Sequence, residues 1–129
     1  MSPTIGSENQ IKRILTIDDG VEITQLITML LTANGYAVDV AWNGRDGVLQ
    51  AMKQAPDLIL LDYMMPDKDG LTVLHEMRQI PGLEDIPVIM LTAIANSEVI
   101  QEAVKLNICD YILKPFALNA LLERIAKYI

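Results

Sequence analysis

Short apolar runs and longer stretches of helical period alternate five times between Lys12 and the end of the chain. Runs such as LILL and VIML are apolar at consecutive positions, the pattern of strands covered on both faces. Each is followed by a segment long enough for a crossover helix, so one parallel sheet with helices on both sides is predicted, an α/β fold. The predicted strands are Ile11–Asp18, Ala37–Ala41, Leu58–Asp62, Val88–Thr92 and Tyr111–Lys114.

The first helix shows Ile23, Leu26, Ile27, Leu30 and Leu31 at helical spacing and stops at Asn34-Gly35, a pair suited to a left-handed turn. The last repeats the pattern with Leu118, Leu121, Leu122 and Ile125, and the helices between start near Asn43, Gly70 and Asn96. Right-handed crossovers leave few topologies for five parallel strands, and the flavodoxin-like order 2-1-3-4-5 suits this length. In such sheets chemistry gathers at the C-terminal ends of the strands.

A chain of 129 residues suits one domain. Residues 1–10, MSPTIGSENQ, lack periodicity and read as an N-terminal extension, leaving 11–129 as the domain. Seventeen acidic against ten basic residues give a net charge of −7, which argues against direct nucleic-acid binding. Cys109 has no partner for a disulfide, and neither a leader nor an apolar run of membrane-spanning length is present, so the cytoplasm is the expected compartment. Met29, Met77 and Met90 read as core filling, and the lone His75 as a solvated helix residue.

Asp18-Asp19 and Asp62 end the first and third predicted strands, which the topology makes neighbours. Two carboxylates 4 Å apart repel by about 4 kcal/mol at an effective dielectric of about 20, so three of them call for protons or a cation. Mg²⁺, with Mn²⁺ as a substitute, suits an all-oxygen site and would bind Asp19 and Asp62. A carboxylate so neutralised can attack phosphorus and form an acyl phosphate. Thr92 and Lys114 end the fourth and fifth strands at the same edge and can supply a hydroxyl and an ammonium to phosphoryl oxygens. Gly70 offers a flexible turn after the third strand.

The segments ILTIDD, PDLILLDYMMPDKDG, IPVIMLTA and DYILKPF resemble the successive signatures of response-regulator receiver domains. The intervals of 30 residues from Asp62 to Thr92 and 22 from Thr92 to Lys114 are similar to the family's. The resemblance implies Asp62 as phosphoacceptor, Asp19, Asp62 and the Met64 backbone carbonyl as Mg²⁺ ligands, and Asp18 acting on the metal through water. It implies Lys114, Thr92 and the Ala93 amide as phosphoryl-binding groups, Thr92 and Tyr111 as switch residues, and a cis peptide before Pro115. It further implies a sensor histidine kinase or phosphotransfer protein as donor, and a downstream protein bound through the fourth helix, fifth strand and fifth helix. Such a chain catalyses only its own phosphorylation and dephosphorylation.

Apolar Met64 and Ile94 follow the acceptor and Thr92 by two residues, at positions that the family uses to tune phosphoryl lifetime, and imply slow hydrolysis. Asp67 and Asp69, framed by Pro66 and Gly70, read as turn and capping residues. An Asp-Asp pair after a strand also suits helix capping; its coincidence with Asp62, Thr92 and Lys114 favours chemistry. A phosphohydrolase with an Asp nucleophile would need a second carboxylate at Met64, and a flavodoxin would want a Ser/Thr/Gly-rich loop where Asp18-Asp19 stands. The remaining alternative is a receiver-like module that binds protein without phosphorylation.

Overall fold

The computed structural model describes residues 10–129; the N-terminal extension, apart from Gln10, lies outside the described residues. The strands are β1 (Arg13–Ile17), β2 (Ala37–Ala41), β3 (Leu58–Leu61), β4 (Val88–Thr92) and β5 (Asp110–Leu113). The helices are α1 (Val21–Ala33), α2 (Gly44–Lys53), α3 (Gly70–Arg78), α4 (Ser97–Lys105) and α5 (Leu118–Tyr128). All strand pairs are parallel, in the order β2-β1-β3-β4-β5. The expected alternation and strand order are therefore those of the molecule. None of the described helices is long and apolar enough to cross a membrane.

The pleat sends alternate side chains to opposite faces. Leu15, Ile17, Ile59, Leu61, Val88 and Met90 pack with Ala51 of α2, Val73, Leu74 and Met77 of α3 and Ala103 of α4. Ile14, Leu58, Leu60, Ile89 and Leu91 pack on the other face with Ile27 and Leu31 of α1 and Leu121 and Ile125 of α5. Because both faces are covered, the central strands are apolar at nearly every position.

Asn43, Asp69 and Asn96 cap α2, α3 and α4, each accepting from backbone amides of its first turn. Asn107 holds φ 63° after α4, a conformation that asparagine tolerates. Arg78 bridges α3 to two loops, donating to the carbonyls of Ile86 at 2.9 Å and Leu106 at 2.8 Å.

β1 starts at Arg13, two residues later than predicted, and three further expectations need correction. Met29 is 69% exposed and Leu26 51% exposed, because the stripe of α1 that meets the sheet is the narrower Ile23, Ile27, Leu31. Met77 and Met90 are fully buried, as expected. β5 starts one residue earlier than predicted, at Asp110, which pairs in register with Ile89.

Candidate functional site

Asp18, Asp62 and Lys114 follow Thr16, Leu60 and Ile112 at the two-residue interval that keeps strand side chains on one face. The ladder extends one residue past each strand. The Asp18 amide donates to the Ala41 carbonyl at 3.0 Å, that of Asp62 to Ile17 at 3.0 Å and that of Lys114 to Thr92 at 2.9 Å. Three chemical residues are thus held on sheet backbone before any side chain interacts.

Their side chains converge. Lys114 Nζ lies 2.6 Å from Asp18 Oδ2 and 3.4 Å from Asp62 Oδ2. Asp18 and Asp62 are buried, whereas Asp19 is exposed. Burial pushes the Asp18 carboxyl above its ordinary value, and the hydrogen bonds from Lys114 and the Gly20 amide only partly offset this. The first turn of α1 has no side-chain cap: its N-cap is Gly20, and Asp18 Oδ1 accepts from the Gly20 amide at 2.9 Å. The acidic pair is therefore aimed at the pocket rather than at α1.

Carboxylate oxygens of Asp18, Asp19 and Asp62 lie within 4.8 Å of one another. Three carboxylates against one ammonium carry a formal charge of −2, which one divalent ion cancels. All donors are hard oxygens and one side of the cluster is open at Asp19, so the residues fit Mg²⁺ with retained waters.

Thr92, at the end of β4, is 1% exposed, and its Oγ1 accepts from the Ile94 amide at 3.3 Å. The Tyr111 hydroxyl donates to the Ile94 carbonyl at 2.5 Å, and burial followed by nearby Tyr63 and Asp62 pushes its pKa up. Thr92 and Tyr111 thus hold the two backbone groups of one residue. Ala93 is exposed, and the Lys114–Pro115 peptide is cis. The Met64 side chain is 60% exposed.

Gly70 serves a different purpose from the flexible turn expected of it. Among the described glycines positive φ occurs at Gly35 and Gly82, not there. A Cβ at Gly70 would fall 2.5 Å from the Asp62 carbonyl oxygen and 2.9 Å from Tyr63 Cα, so absence of a side chain lets α3 begin directly behind Asp62.

Sequence reading missed the Lys114–Asp18 contact and the partner of Asp67. Asp67 accepts from the Gly44 and Arg45 amides, both at 2.9 Å, and so caps α2 rather than the helix that follows it. A loop acid between Pro66 and Gly70 gives no local sign of a partner 23 residues upstream.

A response regulator receiver domain model matches residues 14–126. The chain belongs to the response regulator receiver domain family. Among relatives of this receiver, chemotaxis protein CheY of Bacillus subtilis is 35% identical over 116 residues, covering 89% of this chain and 95% of that protein. The probable transcriptional regulator ycf27 of Pyropia yezoensis is 41% identical over 118 residues, covering 92% of this chain and 47% of that protein. The receiver spans about half the length of that regulator and of the DltR regulators of Streptococcus agalactiae. In structure it resembles chemotaxis protein CheY4 of Vibrio cholerae, with TM-score 0.88 at 28% identity over 93% of this chain and all of the other. Receiver domains are signalling modules rather than classical enzymes, and they bind Mg²⁺ at an acidic pocket.

Proposed function

We propose that this receiver takes a phosphoryl group onto Asp62 from a phosphohistidine of a sensor histidine kinase or phosphotransfer protein, and that the modification changes its affinity for a downstream protein. The observation that carries this reading is the convergence of Asp18, Asp62 and Lys114 at one sheet edge. An Asp62 carboxylate oxygen attacks phosphorus, the P–N bond to the donor breaks, and the departing imidazole nitrogen keeps the electron pair and takes a proton. Hydrolysis restores the carboxylate: water attacks phosphorus and gives up a proton to solvent, the P–O bond to Asp62 breaks with its electron pair kept by the carboxylate, and inorganic phosphate leaves. The chain catalyses only these two steps, both on itself.

Asp19, Asp62 and the Met64 carbonyl would hold Mg²⁺, with Asp18 acting through water, and Mn²⁺ would substitute. The ion supplies charge neutralisation for the acceptor and for the phosphoryl oxygens. Lys114, already within reach of Asp62, swings its ammonium from Asp18 onto a phosphoryl oxygen, and the Thr92 hydroxyl and Ala93 amide bind another. When Thr92 is drawn to the phosphoryl group, its bond to the Ile94 amide is lost. The change at Ile94 passes to Tyr111, which holds the same residue, and shifts the equilibrium of the α4–β5–α5 face where the downstream protein binds.

A groove of about 520 Å³ beside Lys114, lined by Ile23, Leu26, Ala93, Pro115, Phe116 and Leu118, is apolar and borders the pocket, as the surface of an approaching donor requires. The net charge of −7 opposes direct nucleic-acid binding by this domain. Cytoplasmic residence fits the single unpaired Cys109.

Intact-protein mass after incubation with acetyl phosphate, with Mg²⁺ or EDTA and beside Asp62→Asn, tests the proposal. One phosphoryl adduct requiring both Mg²⁺ and Asp62 is expected. No adduct, despite Mg²⁺ binding and trial of histidine kinases, would leave a phosphorylation-independent binding module.

A further inference from the structure

The loop from Tyr63 to Asp69 is fastened at three points. At its base the Gly70 amide donates to the Tyr63 carbonyl at 2.7 Å. At its far end Asp69 Oδ1 accepts from the Thr72 amide of α3 at 2.8 Å. The third fastening crosses to another helix: Asp67 Oδ1 accepts from the Gly44 amide and Oδ2 from the Arg45 amide, both at 2.9 Å. A Cβ on Gly44 would fall 2.6 Å from both Lys68 Cγ and Val73 Cγ2, so α2 meets the loop as closely as a bare backbone allows.

α2 has a cap without this carboxylate, since Asn43 Oδ1 accepts from the Asp46 amide at 2.8 Å. What Asp67 adds is a charge-assisted, two-pronged link between the positive end of α2 and the loop that contains Met64. Met64 lies in the chain between the Gly70-to-Tyr63 fastening and Asp67.

We propose that Asp67 is a positioning residue for the magnesium site, holding the loop so that the Met64 carbonyl is ordered before the ion arrives. This rests on the reading of Met64 as a ligand. A loop free of its link must be ordered at binding, and the entropy lost then weakens affinity.

The test is titration of the full chain with magnesium chloride, followed by amide chemical shifts. Asp67→Ala is expected to raise the Mg²⁺ dissociation constant about tenfold. Asp67→Asn, which keeps an acceptor for the same amides, recovers part of that loss. Asn43→Ala removes the other cap of α2 but leaves the link to the loop, and binds Mg²⁺ as the unmodified chain does. Unchanged affinity in Asp67→Ala, no recovery in Asp67→Asn, or an equal loss in Asn43→Ala would overturn the proposal. Failure of the unmodified chain to bind Mg²⁺ would instead overturn the metal reading on which it rests.

Discussion

Lys114 Nζ is 2.6 Å from Asp18 Oδ2 but 3.4 Å from Asp62 Oδ2, so the ammonium leans on the carboxylate just past β1 more than on the one just past β3. Asp62 is left within a cluster of like charge that Lys114 only partly offsets.

Removing one of those charges relieves the cluster. Asp62→Asn is expected to be about 1 kcal/mol more stable than the unmodified chain in EDTA, as nearby carboxylates repel by a few kcal/mol at an effective dielectric of about 20. Added Mg²⁺ narrows the difference, because the unmodified chain gains more binding energy. Urea midpoints with and without the ion provide the measurement, and a less stable Asp62→Asn in EDTA would contradict the electrostatic account.

Gly70→Ala introduces a Cβ 2.5 Å from the Asp62 carbonyl oxygen. Backbone must move, at a cost of about 2 kcal/mol, and Asp62 moves with it. Both the urea midpoint and the rate of phosphorylation by acetyl phosphate fall. A variant with both unchanged would show that the turn behind Asp62 is free to relax.

Desolvation works to raise the Asp67 carboxyl, but hydrogen bonds from the Gly44 and Arg45 amides outweigh it and hold the pKa below its ordinary 3.8. The folded chain thus binds this proton less readily than the unfolded one. The stability contributed by Asp67 is present above pH 3.8 and disappears as pH falls through the lower folded value. In Asp67→Asn the contribution is absent, so the gap between the two proteins in denaturant titrations closes on acidification below that point. A gap that widened there would reverse the assigned sign.

Burial pushes the Cys109 thiol up to about 11, with the charge of Asp110 adding to it. Its Sγ also donates to the Val88 carbonyl at 3.3 Å. At pH 8 alkylation by iodoacetamide is expected to run roughly a hundredfold slower in the native chain than in the unfolded one, since only thiolate reacts. Equal rates, read by mass spectrometry, would place the thiol in solvent.

Apolar Met64 and Ile94 offer no hydrogen bond to a water attacking the phosphoryl group. The phosphorylated chain is expected to persist well beyond seconds, and Met64→Asn to shorten its life. Decay of the adduct mass within seconds would exclude shielding by these side chains.

The five strands and their polar ends were legible in the sequence because each rests on a local signal, and the strand order and the edge where chemistry collects followed from the handedness of the crossovers. Consecutive apolar runs and helical spacing, the caps Asn43, Asp69 and Asn96, and polar residues placed just past apolar runs are all visible within about ten residues. Leu26 and Met29 escaped because helical spacing shows that a helix is apolar without showing how wide a stripe the sheet covers. The reason for Gly70 escaped as well, since a turn glycine and a close-approach glycine are the same letter.

From the sequence alone follow the alternating fold, the family resemblance and the residue types at the strand ends, because backbone periodicity and side-chain chemistry are properties of short segments. Only the tertiary structure decided that Lys114 rests on Asp18, 96 residues away, that Thr92 and Tyr111 meet at Ile94, and that Asp67 joins the loop after β3 to α2. Those contacts depend on distances of a few ångströms between segments far apart in the chain, and packing of the whole sheet and its helices sets such distances.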